Sequence, residues 1–226
     1  MCSVSMGAKF APMADLKVNE IFYSIQGEST LAGSPCVFVR LTECNLRCTW
    51  CDTAYAFHEG THMSFAKIHE EIAQYNTNLV EITGGEPLMQ ADTIDLMESL
   101  LHKNYRVMLE TGGSLPVSSV PKDVIKIVDF KAPGSGMEKK NLWSILDELE
   151  PHDEIKFVLT DRTDYDWAKL QVTNRNLAEN NTVLFSPVHG QLENQALAKW
   201  ILDDHLPVRQ QVQIHKIIWD IERRGV

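Results

Sequence analysis

The chain has 226 residues, a formal net charge of −10 and a hydrophobic content of 44%. A chain of this length can bury a substantial core without disulfide bonds, and its acidic surface has no general attraction for nucleic acid or anionic lipid. No apolar run approaches the roughly 18 residues that span a membrane, so we expect a cytoplasmic protein with neither nucleic acid nor membrane as a partner.

Five cysteines, three of them clustered, indicate a reducing compartment and metal binding rather than a disulfide framework. The amino-terminal segment has no apolar stretch like that of a signal peptide. We expect residues 1–16 to form a flexible extension. No repeat, low-complexity tract or linker divides residues 17–226, which we expect to form a single domain.

Short runs rich in Val, Ile and Phe are typical of buried strands. They occur at 18–25, 36–42, 79–83, 106–111, 124–130, 154–159, 182–186 and 208–214. Apolar residues at helical spacing predict helices at 65–75, 94–101, 143–149 and 197–201, and residues 161–166 indicate an exposed helix start. Ser64 and Asp92 stand at predicted N-cap positions.

The alternation of strands and helices predicts a parallel sheet with right-handed crossovers. The length allows about six strand–helix units, fewer than the eight of a full barrel of roughly 250 residues. The predicted fold class is therefore α/β, an incomplete parallel (β/α)6-type barrel, or partial TIM barrel.

Polar residues with useful chemistry stand where the predicted strands end. In a barrel of parallel strands this end forms the active-site face. The residues concerned are Arg40, Thr83, Gly84, Gly85, Glu86, Glu110, Thr111, Asp129, Lys131, Ser186 and His215. We therefore expect a single site at the carboxyl ends of the strands.

Three cysteines, Cys44, Cys48 and Cys51, follow one predicted strand within eight residues. Three thiolates this close can converge on one soft metal centre, whereas an odd number with such short loops cannot all form disulfides. A [4Fe–4S] cluster held by three cysteines leaves one iron open. A structural zinc site needs four ligands, and His58 or His62 as the fourth keeps that alternative open.

The sequence Thr83-Gly84-Gly85-Glu86-Pro87 follows another predicted strand. The glycines allow the backbone to approach a ligand closely, and the carboxylate can accept hydrogen bonds from an ammonium group. An ordinary tight turn stays open as an alternative. The loop 129–137 offers Lys131 and Ser135 as further polar groups, or is a tight turn with a surface lysine.

The cysteine loop and the Gly-Gly-Glu turn, in this order, resemble the radical S-adenosylmethionine (SAM) superfamily. The resemblance implies a [4Fe–4S] cluster on the three cysteines, with SAM on the open iron and Trp50 near the SAM adenine. The SAM site it implies comprises Trp50, Asp52, Gly84, Gly85, Glu86, Thr111, Lys131 and Ser135.

Further motifs resemble the 7-carboxy-7-deazaguanine synthase family over residues 17–226. They are Ile25-Gln26-Gly27-Glu28, Arg40, Cys51-Asp52-Thr53, Leu109-Glu110-Thr111-Gly112 and Gln213-Ile214-His215-Lys216. The substrate site implied by the resemblance comprises Ile25, Gln26, Gly27, Glu28, Arg40, Thr83, Glu110 and His215. The chain departs from the family at Ser29, where the usual residue is glycine.

The resemblance implies a carbon–nitrogen lyase of queuosine biosynthesis. In this reaction a 5′-deoxyadenosyl radical takes hydrogen from 6-carboxy-5,6,7,8-tetrahydropterin, ammonia leaves, and SAM is regenerated as a true cofactor. Mg²⁺ on Thr53, a homodimer and a flavodoxin- or ferredoxin-like electron donor are also implied.

The residue types suit these roles. Arg40 offers a planar fork for a carboxylate, Glu28 and Glu110 can accept from heterocycle N–H groups, and Thr53 carries a hard oxygen for Mg²⁺. Simpler interpretations stay open: Arg40 as a structural ion-pair partner, Glu28 as a solvated turn residue and His215 as a half-buried histidine. Two other functions also stay open, a radical SAM activase that makes a glycyl radical on a partner protein and a non-catalytic metal-binding module.

Overall fold

A computed structural model describes residues 15–221 and 223–226, and one nine-stranded sheet organises them. The strands are β1 Asp15–Ile25, β2 Pro35–Leu41, β3 Thr61–Ser64, β4 Leu79–Gly84, β5 Arg106–Thr111, β6 Ile125–Asp129, β7 Glu154–Leu159, β8 Thr182–Pro187 and β9 Arg209–Gln210. Their order across the sheet is β3-β1-β2-β4-β5-β6-β7-β8-β9.

The sheet is parallel from β2 to β9, whereas β1 runs antiparallel to both of its neighbours. Six of the parallel strands have five or more residues, and β9 has only two. This architecture confirms the predicted fold class, a mostly parallel α/β partial barrel, although the described residues 112–124 that connect β5 to β6 contain no helix.

The longer helices cover the outer face of the sheet. They are α1 Phe65–Ile72, α2 Thr93–His102, α3 Arg162–Asn174 and α4 Asn194–Asp203. The short helix α5 His215–Ile218 lies instead at the carboxyl ends of the strands, next to Gly27. Ser64 caps α1 by accepting from the Lys67 backbone N–H, as predicted, while Asp92 occupies the N-cap of α2 without a side-chain bond. None of the helices in the described residues has the length and apolar character needed to cross a membrane.

Several predicted boundaries were wrong. The predicted strand 208–214 pairs with β8 only at Arg209–Gln210, and His215 therefore begins α5 instead of following a strand. The Gln211 N–H still donates to the Phe185 carbonyl at 2.8 Å, and the chain leaves the sheet edge after it. The Ile214 N–H, for example, donates to the Gly27 carbonyl at 3.1 Å. The predicted helix 143–149 is a 3-10 helix, Trp143–Glu148. It stops short of Glu150, for which the following Pro151 disfavours the helical region.

The short strand β3 and most of α3 had no clear sequence signal. Because β3 pairs with β1 from Asp15 onward, Leu16 lies in the sheet and is 1% exposed. Residues 15 and 16 therefore belong to the sheet and not to the predicted extension, whose other residues, 1–14, lie outside the described residues.

The barrel interior changes from apolar to polar along the strands. At the amino-terminal end, Phe22, Cys36, Phe38, Leu79, Met108, Ile125 and Ile127 form one apolar cluster. Because side chains on one face alternate along a strand, the next inward positions place Glu110 above Met108 and Asp129 above Ile127. The polar residues therefore collect at the carboxyl ends of the strands, on an apolar floor.

Candidate active site

A cavity of about 690 Å³ opens at the carboxyl ends of the parallel strands, within the usual size range of small-molecule sites. The structure brings all but two of the predicted site residues to its wall. They are Ile25, Gln26, Gly27, Glu28, Arg40, Cys44, Cys48, Trp50, Cys51, Asp52, Thr53, Thr83, Gly84, Gly85, Glu110, Thr111, Lys131 and His215. The two exceptions are Glu86 and Ser135, which are buried behind the wall.

The three cysteines of the loop are free thiols at one side of the cavity. Burial raises the pKa of Cys44 and of Cys48. Free thiols of one short loop that face a cavity fit a [4Fe–4S] cluster, which takes its thiolates on separate irons and leaves one iron toward the open space.

A zinc site is less well matched. His62 Nδ1 lies 3.2 Å from Asp15 Oδ1 on the outer hairpin, and neither His58 nor His62 lines the cavity. In the described part of the chain, no three His, Cys, Asp or Glu side chains lie close enough to share a single metal ion. The fourth ligand required by the zinc alternative is therefore not in place.

The glycine turn after β4 packs directly against the chain that leads into the cysteine loop. A Cβ at Gly84 would lie 2.3 Å from the Leu41 carbonyl oxygen, and one at Gly85 would lie 2.1 Å from that of Glu43. The Glu86 N–H donates to the Glu43 oxygen at 2.8 Å. The glycines therefore allow the two loops to meet, in addition to any approach to a ligand.

Glu86 joins the ends of β4 and β5 beneath the cavity wall. Its carboxylate accepts from Thr111 Oγ1 at 2.9 Å, from the Gly112 N–H at 2.7 Å and from the Leu88 N–H at 3.1 Å. Burial raises the pKa of this carboxyl. A contact from Glu86 to the SAM amino group stays a prediction, because the carboxylate already holds these protein donors.

Ser135 stabilises the cysteine loop from behind. Its hydroxyl donates to the Ala132 carbonyl at 2.6 Å, and its own carbonyl accepts from the Thr49 N–H at 3.1 Å. Lys131, in the same segment, faces the cavity and pairs with Asp129 at 2.9 Å. Burial lowers the pKa of Lys131, but the charge of Asp129 outweighs this and raises it to about 12.

Lys156 of β7 is a central site residue that the sequence analysis missed. Its Nζ lies 2.6 Å from Glu28 Oε2 and 3.6 Å from Asp129 Oδ2, and it donates a short hydrogen bond to Glu110 Oε1. The signal in the sequence was a lysine in the middle of a run that otherwise reads as a buried strand. An inward-facing lysine there requires anionic partners.

Lys156, Glu28 and Glu110 shift one another's pKa values. Burial raises the pKa of Glu28, but the Lys156 ammonium and the Gln213 amide outweigh it and lower the value to about 2. Burial raises the pKa of Glu110 to about 7, although Lys156 opposes the rise. Burial lowers the pKa of Lys156, yet the surrounding carboxylates raise it well above its ordinary value. At neutral pH the site therefore holds a fixed ammonium beside ionised Glu28.

Glu81 of β4, also missed, lies one layer deeper. The Gln26 amide donates to it in a short hydrogen bond, and the Gln26 oxygen accepts from the Glu28 N–H at 3.0 Å. Burial, followed by the charge of Glu110, raises the pKa of Glu81 to about 8. Both polar ends of Gln26 are therefore occupied by protein groups, which leaves its predicted substrate contact untested.

Arg40 has an ion-pair partner as well as a place on the wall. Its Nε lies 2.8 Å from Glu20 Oε1, which also accepts from the Tyr55 hydroxyl at 3.0 Å. The guanidinium carbon stands 5.6 Å from the Phe22 ring centre. The pairing with Glu20 holds the guanidinium at the cavity wall, where a ligand carboxylate is predicted to bind.

His215 and Asp52 approach from the carboxyl-terminal segment and the cysteine loop. Burial lowers the pKa of His215, although Glu28 opposes the change, so the imidazole is neutral at pH 7. Lys216 Nζ lies 2.6 Å from Asp52 Oδ2 and ties the two segments together. Thr53 Oγ1 lies 3.8 Å from Cys51 Sγ and does not cap the 3-10 helix that follows it.

The comparisons with known proteins agree with this geometry. A sequence model of the radical SAM superfamily matches residues 39–130, which contain the cysteine loop and the glycine turn. A partial barrel with a three-cysteine loop at its carboxyl face thus defines a radical SAM protein. The crystal structure of QueE from Escherichia coli matches with a TM-score of 0.70 and 21% identity, over 88% of this chain and 94% of that one.

Two relatives identify the family. The 7-carboxy-7-deazaguanine synthase of Koribacter versatilis is 45% identical over 227 residues, covering 93% of this chain and 100% of the relative. That of Chlorobaculum tepidum is 45% identical over 217 residues, covering 94% of this chain and 98% of the relative. The chain belongs to the 7-carboxy-7-deazaguanine synthase family of radical SAM lyases.

Proposed function

We propose that the chain converts 6-carboxy-5,6,7,8-tetrahydropterin to 7-carboxy-7-deazaguanine with loss of ammonia, for queuosine and related deazapurine biosynthesis. Substrate and product differ by one ammonia, so the conversion needs no net oxidant or reductant. The observation that carries the proposal is one cavity with three thiols at one side and a cationic and carboxylate set at the other. When bound, the cluster and SAM supply the radical chemistry.

The residues of the wall bind and orient the substrate. Arg40 receives its carboxylate in a planar fork, and Glu28 and Glu110 accept from N–H groups of the heterocycle. Neutral His215 holds a further polar edge. The apolar barrel floor keeps bulk water from the lower side, so these polar contacts are strong.

Cys44, Cys48 and Cys51 hold the cluster, and Trp50 lies against the adenine of SAM. The Thr53 hydroxyl, which does not cap its helix, fits Mg²⁺ as a hard oxygen ligand beside substrate and water. The protein works as a homodimer in the cytoplasm and receives electrons from a flavodoxin- or ferredoxin-like donor.

An anaerobic assay tests the proposed function. Reconstituted protein, SAM, a one-electron reductant, Mg²⁺ and the carboxytetrahydropterin should give 7-carboxy-7-deazaguanine and ammonia in equal amounts. Formation of 5′-deoxyadenosine only after a partner protein is added would favour an activase. Metal analysis showing zinc and no iron would overturn the cluster assignment.

A further inference from the structure

Lys156 joins two carboxylates that no single strand could bring together. Glu28 comes from the loop after β1, Glu110 from β5 and Lys156 from β7, so the contact to Glu110 passes over the intervening strand β6. The side chain of Lys156 is only 4% exposed, whereas that of Glu110 is 22% exposed at the cavity. Glu110 therefore presents more of its surface to the cavity than Lys156 does, although both line it.

The two carboxylates differ in how they are held. Glu28 Oε1 accepts from Gln213 Nε2 at 2.6 Å, and Glu28 Oε2 accepts from Gln211 Nε2 at 3.2 Å, in addition to Lys156. The only donor to Glu110 within the described chain is Lys156, through Oε1, so Oε2 is available to a bound molecule. Removal of Lys156 would release Glu110 more than Glu28.

We propose that Lys156 is a positioning residue, whose ammonium group favours the ionised form of Glu110 and orients its carboxylate so that Oε2 accepts a hydrogen bond from an N–H group of the substrate. The proposal rests on the proposed function and deepens it. Without the ammonium, Glu110 would stand in a buried site among negative groups and would take up a proton. A protonated carboxyl accepts a hydrogen bond from the substrate N–H more weakly than a carboxylate does, because the charge is lost and one oxygen carries a proton.

The charged groups around Glu110 support the expectation that its pKa rises when Lys156 is removed. The charged groups that face Glu110 come from five elements besides its own strand. They are Glu28 from the loop after β1, Glu81 from β4, Asp129 and the adjacent Lys131 from β6 and its loop, Lys156 from β7, and His215 beyond Glu28. Among the groups that touch Glu110, the cation is Lys156. Without Lys156, burial and the neighbouring negative charges would both raise the pKa of Glu110.

Lys156→Met removes the charge and keeps much of the side-chain volume. The ionised fraction of a carboxyl falls about tenfold for each unit by which its pKa exceeds the pH. We expect the acid limb of kcat/KM against pH to move upward by at least about one unit, with a loss of about tenfold or more at pH 7 and partial recovery at higher pH. Lys156→Arg keeps the positive charge, so its acid limb of kcat/KM against pH should lie at the same pH as that of wild type.

Lys126→Met is the matched control. Lys126 is a buried lysine on the neighbouring strand β6, it pairs with Asp153 at 2.8 Å, and it does not line the cavity. Its replacement should lower stability and leave the pH profile in place. If Lys156→Met had the same pH profile as wild type, or if its loss of activity were not recovered at higher pH, the positioning role would be overturned.

A second measurement does not require activity. Carbon-13 NMR of glutamate-labelled wild-type protein, assigned by the signal lost in Glu110→Gln, should show Glu110 titrating near pH 7 and Glu28 ionised well below its ordinary range. The same labelling of Lys156→Met, or of Lys156→Gln if that variant does not fold, should show Glu110 titrating at higher pH than in wild type, and an unchanged titration would contradict the proposal. Absence of the deazaguanine product from wild-type protein would instead refute the proposed function and leave this titration valid.

Discussion

Gly27 lies so close to His215 that a Cβ on Gly27 would stand 1.9 Å from the imidazole Nδ1. The Gly27 carbonyl also accepts from the Ile214 N–H at 3.1 Å. The glycine of the Gln-Gly-Glu motif therefore permits the start of α5 to close over the loop after β1. Through this contact the two sequence motifs that are most distant in the chain form one wall of the cavity.

Gly27→Ala should displace the His215 ring or the loop that carries Glu28. A displacement of about 1 Å at a substrate-positioning group can reduce the rate about 100-fold, and we expect a fall of this order in kcat/KM. Iron content should be unchanged, because the cysteine loop follows another strand. Gly33→Ala is the comparison: at φ +93° it strains the backbone, but its Cβ would meet nothing within 4 Å, so it should lower stability without displacing a residue of the cavity wall. If Gly27→Ala had the kcat/KM of wild type, the close approach of Gly27 and His215 would not be needed for activity.

Thr53→Ala should weaken the response to Mg²⁺ and leave the cluster intact. Removal of the hydroxyl takes away a hard-oxygen ligand, and we expect the apparent Mg²⁺ affinity to fall at least about tenfold. Rates measured over a Mg²⁺ titration, together with iron analysis, check this. Thr49→Ala is the comparison, because its hydroxyl bonds to the Gly134 carbonyl at 2.9 Å outside the cavity wall. Loss of iron from Thr53→Ala would make the residue structural.

Ser29 stands where the resemblance to the family implies a glycine. Its φ is +64°, in the left-handed region that favours glycine. The serine compensates locally, because its Oγ accepts from the Leu31 N–H at 3.0 Å. We expect Ser29→Ala to lower the free energy of unfolding by about 1 kcal/mol, since it loses this bond and keeps the strain.

Ser29→Gly loses the same bond but removes the left-handed strain, which is worth about 1 kcal/mol. Its stability should therefore lie close to that of wild type and above that of Ser29→Ala. Thermal or denaturant unfolding of the three proteins decides the order. Equal losses in both variants would mean that the backbone conformation at Ser29 carries no strain.

Glu81 should make stability fall with rising pH. Its pKa of about 8 exceeds its ordinary value of 4.5, so the folded state holds the proton more tightly. The stabilisation is present below the ordinary value and is lost as the pH rises through about 8.

Glu81→Gln keeps an acceptor for Gln26 without a titrating proton. We therefore expect a smaller loss of Tm for this variant than for wild type between about pH 5 and pH 8. Scanning fluorimetry over this range measures it, with Glu98→Gln on exposed α2 as the control. A parallel decline in wild type and Glu81→Gln would place the pH-sensitive group elsewhere.

The polar residues at the strand ends could be predicted because parallel strands bring their carboxyl ends to one face. Two contiguous motifs, the cysteine loop and the glycine turn, supplied the chemistry. His215 reached the predicted site although its predicted strand was wrong. Its place depends on the turn after β9 and on the space at Gly27.

Lys156 and Glu81 could not be predicted in the same way. Each stands inside a strand run whose overall pattern indicates core, and local sequence does not show which charges share the barrel interior. Their partners lie on other strands or on loops distant in sequence, as in the contact of Lys156 with Glu28. The buried position of Glu86 could not be predicted either, because its carboxylate accepts hydrogen bonds from Thr111 and Gly112 at the end of β5, distant in sequence.

Turnover with limiting SAM tests the central claim most directly. Reconstituted protein receives excess carboxytetrahydropterin, Mg²⁺ and reductant with about one SAM for every ten substrate molecules. The account predicts several molecules of 7-carboxy-7-deazaguanine per SAM, with SAM largely recovered. Absence of the deazaguanine, or 5′-deoxyadenosine formed in step with every product molecule, would contradict it.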